Sequence, residues 1–264
     1  MAEFTAKDVQ ALRQSTGAGM MDCKRALVEN DGDFEAARKW MREQGLTKAG
    51  ERSGRPNSQG AVAVSTTGNV AAIAELKSET DFVAKSDQFT SLVQEIATLV
   101  AALGDDAAAE KADAIDDLKL VLKENIALGQ VVRMEAADGH IVDTYVHRQD
   151  GRGVNAVAVE LDGGSLDLAH EIAVHVAFTR PAYLRREDVP EAEMAEERQT
   201  LESITRAEGK PEAAMDKIVT GRLNGWLRER VLLEQAYVKD EKQTISQLLG
   251  GASIVRFAQV AIGS

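Results

Sequence analysis

Ile73-Ala74-Glu75-Leu76-Lys77-Ser78-Glu79-Thr80-Asp81-Phe82-Val83-Ala84-Lys85 begins as an apolar strand and ends as a charged segment around one aromatic side chain. Its first four residues have a second version in Ala158-Val159-Glu160-Leu161, and after each version comes a helix carrying Glu-Ile-Ala-x-x-Val-Ala, at Glu95 to Ala101 and again at Glu171 to Ala177. A strand-to-helix unit that occurs twice predicts a duplicated core. The strand glutamate precedes the helix glutamate by 20 residues in the first copy and by 11 in the second, so the first copy holds nine extra residues, Asp81 and Phe82 among them. Core packing gives no reason to insert residues in one copy alone, whereas loops on a rigid scaffold often carry function. An aromatic ring flanked by Glu79, Asp81, Lys85 and Asp87 has little apolar company. Either distant elements bury Phe82, as for most single Phe residues, or it is kept exposed for a partner. The insertion tips the reading toward the partner.

Around this unit the elements follow from period and punctuation. Ala61 to Ser65 and Val70 to Lys77 flank Thr66-Thr67-Gly68-Asn69 and read as a hairpin, with a helix from about Ser86 to Leu103 after them. Two short helices are expected at about Ala107 to Ala112 and Ile115 to Leu128. Gln130 to Ala137 and His140 to His147 flank Asp138-Gly139, a strong hairpin signal. Val154 to Leu161 reads as a strand leading through Gly163-Gly164 into a helix that ends near Phe178. After Arg180-Pro181 the composition shifts to charged helix formers in two arms, with Gly209-Lys210-Pro211 between them as a tip. Such a projecting antiparallel pair serves docking or dimerisation, so a homodimer through it is one expectation and a plain solvated hairpin the other. A short helix around Thr244 to Leu249 and a strand from Ser253 to Val260, returning to the core sheet, close the chain.

The amino-terminal stretch has the punctuation of three helices. Thr5 with Asp8 caps a helix running to about Ser15, Thr16-Gly17-Ala18-Gly19 breaks it, a second spans Met20 to Glu29, and Asn30-Asp31-Gly32 leads into a third from Asp33 to Gln44, closed by Gly45. Leu12, Met21, Ala26, Leu27, Phe34, Ala37 and Met41 would form its small core. Leu46 to Gly60 reads as a mobile linker. The expected organisation is α+β: residues 1–45 a three-helix domain, 46–60 a linker, 61–139 a first core subdomain holding the inserted segment, 140–180 the start of a second, 181–230 the helical hairpin, and 231–264 a carboxy-terminal module with the return strand. Antiparallel sheets are expected in both halves of the core.

Composition and motifs exclude several function classes. The 264 residues carry 31 basic and 43 acidic side chains, and the net charge of −12 repels a phosphate backbone, so direct nucleic-acid binding is not expected. One cysteine, Cys23, allows no internal disulfide and no multi-cysteine zinc site, and reads as a small buried hydrophobe. The start lacks a basic region followed by an apolar run, and no stretch is apolar for long enough to span a bilayer, which points to a cytoplasmic protein without a membrane partner. His170-Glu171-Ile172-Ala173-Val174-His175 invites comparison with H-E-x-x-H, but histidines five apart on one helix point about 140° from each other and cannot share a zinc ion. His175 takes the place of Leu99 in the repeat and is expected on a packed face. The glycines at 17 and 19 lack the Gly-Lys-Ser/Thr ending of a phosphate loop. No catalytic residue, metal ligand or cofactor is expected, which leaves a metal-dependent hydrolase as a weak rival and a protein-binding role as the favoured one.

Two stretches, Leu12-Arg13 with Thr16-Gly17-Ala18-Gly19-Met20-Met21-Asp22-Cys23-Lys24, and Glu79-Thr80-Asp81-Phe82-Val83-Ala84-Lys85, resemble the two signatures of the bacterial elongation factor Ts family, guanine-nucleotide exchange factors of elongation factor Tu. His175-Val176-Ala177, Gly209-Lys210-Pro211 and Thr244 to Leu249 extend the similarity over essentially the whole chain. The resemblance implies an amino-terminal domain of ubiquitin-associated type, a two-part core, a helical hairpin and a carboxy-terminal module. It implies a factor that binds elongation factor Tu carrying GDP, perturbs its magnesium and phosphate site and promotes GDP release for GTP loading. Thr80, Asp81, Phe82 and Val83 would be the exchange loop, with Asp81 and Phe82 entering the GTPase domain. Leu12, Met20, Met21, Ile245 and Leu248 would meet a helix beside the nucleotide site, and His175 would contact another domain of the partner. One departure is Asn155-Ala156, where the family commonly shows an aliphatic-glycine pair before the residue matching Val157. The alternative reading is a docking or chaperone-like module without exchange activity.

Overall fold

The computed structural model describes residues 4–16 and 18–263. It is an α+β structure whose first elements are α1 (Ala6–Thr16), α2 (Met20–Glu29) and α3 (Phe34–Arg52). Gly17, expected in the turn between α1 and α2, lies outside the described residues. Thr5 and Asp8 cap α1 reciprocally, Thr5 N donating to Asp8 Oδ2 at 2.7 Å and Asp8 N to Thr5 Oγ1 at 3.4 Å, which satisfies donors that the first turn leaves free. Val9, Leu12, Cys23, Ala26, Leu27 and Ala37 form the buried core of this unit, with Phe34, Trp40 and Met41 at its edge. Met21 is not part of that core. Cys23, Ala26 and Leu27 occupy the inner face of α2 at spacings of three and four, leaving Met21 75% exposed.

The core is two copies of one plan. In the first, β1 (Gln59–Thr67) and β2 (Val70–Ser78) form a hairpin across Gly68-Asn69, and the chain passes through α4 (Asp81–Ala84), α5 (Asp87–Leu103), a 3-10 helix (Asp105–Lys111) and α6 (Ala112–Leu122) before β3 (Ala127–Glu135) joins the free edge of β2. In the second, β4 (Ile141–Gln149) and β5 (Arg152–Asp162) form the hairpin and α7 (Leu166–Thr179) follows. There the chain leaves the core for α8 (Glu191–Ala207), α9 (Met215–Arg230), the short pair β6 (Ala236–Tyr237) and β7 (Asp240–Thr244), and α10 (Ile245–Leu249), then returns as β8 (Ser253–Ala261) on the free edge of β5.

Side-chain alternation explains how the copies stack. Ala72, Ala74 and Leu76 of β2 face α5, whereas Ala71 and Ile73 face the second sheet. Val157, Val159 and Leu161 of β5 face α7, whereas Ala156 and Ala158 face the first sheet. The result is a four-layer stack of helix, sheet, sheet and helix, with alanines prominent in the layer between the sheets. The repeated glutamates sit at equivalent irregularities. Glu75 lies where the β2–β3 register shifts, and its carboxylate accepts Gln130 N at 2.8 Å. Glu160 lies where the β5–β8 register shifts, and it accepts His140 Nδ1 at 2.8 Å, Arg256 Nε at 2.7 Å and Ala137 N at 3.1 Å. Burial alone would push the Glu160 carboxyl up, but these three donors outweigh it and hold the group below the usual carboxylate range.

Asp138-Gly139 does not close a hairpin. β3 pairs with β2 and β4 pairs with β5, so the two residues carry the chain from one sheet to the other. The Ala137 amide goes to the Glu160 carboxylate, and Asn69 fixes Ala136 by bonds of 2.8 and 2.6 Å, which leaves no ladder between β3 and β4. The expected linker is also shorter. α3 runs on to Arg52 through Leu46, Lys48, Ala49 and Glu51, all good helix formers, and β1 starts at Gln59. Gly45 serves a close approach instead of a stop, since a Cβ there would overlap Leu120 of α6. Arg42 reaches Asp113 at 2.8 Å across the same contact. In the helical hairpin, Leu223 and Leu227 of α9 pack with Met194 and Leu201 of α8, and at its base Arg186 forks onto both oxygens of Glu234 at 2.7 Å.

Candidate functional site

The inserted segment folds as a single helical turn with distinct inner and outer faces. Thr80 caps it, its hydroxyl accepting from Val83 N at 3.3 Å, and Lys85 N closes the turn onto Asp81 O at 3.0 Å. Ala84 is buried and Val83 packs half-buried against the first core, whereas Phe82 stands 82% exposed on the outer side. The entry to the turn is held from a distance. Glu124 Oε2 accepts both Glu79 N and Thr80 N at 3.0 Å, its other oxygen accepts the Thr80 hydroxyl, and Glu79 Oε1 accepts Asn125 N at 2.7 Å. Asn125 also donates to Ser53 O at 3.1 Å and Arg55 O at 2.7 Å. This clamp exists because α6 stops at Leu122 and not near Leu128, with Lys123 in the left-handed region (φ 59°) turning the chain toward the end of β2.

Beside the ring, the Lys85 ammonium lies 2.6 Å from Asp81 Oδ2, 3.1 Å from Asp150 Oδ2 and 6.0 Å from the Phe82 ring centroid. The hydrogen bond from Lys85 holds the Asp81 carboxyl below its ordinary range, and Asp81 and then Asp150 push the Lys85 ammonium up. The turn therefore presents an ionised carboxylate and an unburied phenyl ring side by side on a braced backbone.

The other residues singled out in the sequence divide by exposure. Met20 (52% exposed) and Met21 stand on the outer face of α2, and Leu248 is half-buried on α10. Leu12, His175 and Ile245 are fully buried and offer no surface to another molecule. Leu12 belongs to the core beneath α2, and Ile245 packs with Tyr237 and Leu249 in the second core. His175 and His170 go to separate partners: His170 Nδ1 meets Asp143 at 2.9 Å on the surface, while His175 Nε2 meets Gln235 Oε1 at 2.9 Å in the interior. Asn155, at the departure from the family pattern, donates to Ala177 O at 2.8 Å and accepts from Gln259 at 3.0 Å, so it ties the end of α7 to β5 and β8. Among the described residues no group of three His, Cys, Asp or Glu could hold a metal ion, and no helix is long and apolar enough to cross a membrane.

The sequence reading missed Glu124, Asn125 and Asp150. None lies within 20 residues of the turn, and only the polar run Lys123-Glu124-Asn125 after an apolar helix hinted at a tether.

His175 couples the second core to pH. Its Nε2 donates to Gln235 while Nδ1 accepts Val238 N at 3.4 Å, an arrangement that only the neutral ring satisfies. Burial pushes its pKa below 6.5, with the Gln235 bond opposing only in part. The unfolded chain then takes up a proton at higher pH than the folded one, so stability is complete above pH 6.5 and falls as the pH drops below it. Urea midpoints measured from about pH 8 to pH 5 should decline on the acid side, and His175→Leu, which installs the residue of the first copy, should flatten that decline. Equal slopes for the two proteins would remove His175 as the cause.

A family model described as Elongation factor TS matches residues 79–264, beginning at the base of the exposed turn. Along its whole length the chain is similar to curated proteins of the same description. It is 41% identical to that of Beutenbergia cavernae over 284 aligned positions, covering all of both chains, and 42% identical to that of Acidothermus cellulolyticus, covering all of this chain and 99% of the relative. The protein of Kineococcus radiotolerans is 41% identical, again over all of both.

Proposed function

This chain belongs to the elongation factor Ts family, and we propose that it promotes GDP release from elongation factor Tu in the cytoplasm, with Asp81 and Phe82 as the pair that disturbs the GTPase's magnesium and phosphate site. The observation that carries this reading is the Phe82 ring, 82% exposed on a backbone clamped by Glu124 and Asn125. A ring on a soft loop would lose conformational freedom on docking, whereas one on a braced turn has already lost it.

No covalent bond is made or broken, and linkage alone accounts for exchange. A protein that prefers the nucleotide-free partner weakens nucleotide binding by the factor by which nucleotide weakens its own. Loosening GDP a thousandfold takes about 4 kcal/mol. Burying one phenylalanine contributes roughly 1.5–3 kcal/mol before the costs of association. Asp81 adds repulsion against the phosphates, and the remainder comes from docking contacts that form fully only on the nucleotide-free partner. Met20 and Met21 on α2 and Leu248 on α10 are the apolar groups assigned to that docking, within an interface above the standard size of about 1,600 Å². Leu12 supports the first of these surfaces, and Ile245 and His175 support the second from inside.

The test is the release of a fluorescent guanine nucleotide from elongation factor Tu at saturating concentrations of the factor. The wild-type chain should accelerate release, and Asp81→Ala should reduce that acceleration by about three- to tenfold through lost charge repulsion. Binding without acceleration would leave the docking-module reading in its place.

A further inference from the structure

We infer that Asp150, in the β4–β5 turn of the second half of the core, positions the Asp81–Phe82 pair of the first half through Lys85. The inference rests on the exchange reading above and adds a residue to it. α4 is a single turn of four residues, so an Asp81–Lys85 pair at i and i+4 has no neighbouring turns to fix its rotamers. Asp150 supplies the third point: the ammonium lies between two carboxylates, at 2.6 and 3.1 Å, and over the Phe82 ring, 6.0 Å from its centroid. A lysine held by Asp150 keeps the Asp81 carboxylate in one orientation and leaves the ring a single side on which to lie.

The turn that carries Asp150 is itself fixed. Asp150 and Gly151 both have positive φ (51° and 83°), and they join Gln149 to Arg152, the last pair of the β4–β5 ladder. Two central residues with positive φ match the right-handed twist of the strands they join. Arg152 then crosses to the first half, donating to Gly60 O and, at 3.1 Å, to Gln59 Oε1. Asp150 is thus a rigid post that the second half of the core holds against a turn belonging to the first. An exposed ion pair of this kind adds little to stability, so its effect should appear in exchange and not in folding.

Asp150→Asn tests the inference cleanly, because asparagine also accepts the left-handed region and only the charge is lost. The variant should lower the maximal rate of GDP release by about fivefold, with the half-saturating concentration and the melting temperature unchanged. In a Lys85→Met background the same change should have no further effect, and Lys85→Arg should retain most of the activity. A wild-type maximal rate for Asp150→Asn, an equal loss with or without Lys85, or an effect confined to half-saturation would overturn the positioning role while leaving the exchange reading intact. A wild-type chain that fails to accelerate release would overturn both.

Discussion

Phe82→Ala should lower the accelerated rate of GDP release from elongation factor Tu by about 10- to 100-fold while leaving the melting temperature within about 2 °C of wild type. The two halves of this expectation come from one fact. With 82% of its surface in water, the ring contributes almost nothing to its own fold, so its removal creates no cavity. Whatever the ring is worth is realised only when a partner buries it, and roughly 1.5–3 kcal/mol of burial is a factor of about 10 to 100 in rate if the contact forms at the step that expels nucleotide. Val83→Ala gives the contrast within the same turn. Val83 packs against the first core, so its truncation should lower stability and affect exchange only through the loosened backbone. A Phe82→Ala protein that exchanges as fast as wild type would take the ring out of the mechanism and leave the exposed turn unexplained.

The duplicated core was legible in the sequence because the strand-to-helix unit occurs twice. How the copies stack was not read from it: only the structure shows Ile73 and Ala158 facing the other sheet while Leu76 and Leu161 face the helices. Local signals failed where long-range contacts overrode them. Asp138-Gly139 has turn chemistry that suits a hairpin, but Glu160, more than 20 residues away, takes the amide that a hairpin would have used. Gly45 has the form of a helix stop, yet the helix runs past it and the Leu120 side chain of α6 packs into the space that a side chain would take. The turn at 81–84 was too short for any periodicity to reveal, and its clamp at Glu124 comes from a different element. The site residues were a separate problem. Resemblance marks positions and not exposure, so Leu12, His175 and Ile245 came with Met20 and Met21 although only the methionines reach the surface.

Gly153→Ala should be among the most damaging single-methyl additions in the core, costing about 1–3 kcal/mol and lowering the melting temperature by about 2–6 °C. Gly153 sits on β5 opposite Arg148, beside a register shift that leaves Val154 as the extra residue of the strand. Its φ lies outside the left-handed region, so alanine meets no backbone penalty and the effect is purely steric. An added Cβ would overlap Val62 O on β1 and crowd Val146 Cγ2 at 2.9 Å. The first obstacle is backbone and cannot rotate away. The two sheets must part, which loosens the buried contacts among Ala71, Ile73, Met134, Ala156 and Ala158 in the layer between them. Val146→Ala should therefore fail to rescue the variant, since it clears only the second obstacle. Exchange should suffer as well, because Gly153 adjoins Arg152, and a shift of that strand end carries Asp150 away from Lys85. A Gly153→Ala protein with wild-type melting and wild-type exchange would mean that the spacing of the sheets is set elsewhere. Normal exchange with lowered melting would separate the sheet contact from the positioning of Asp81 and Phe82.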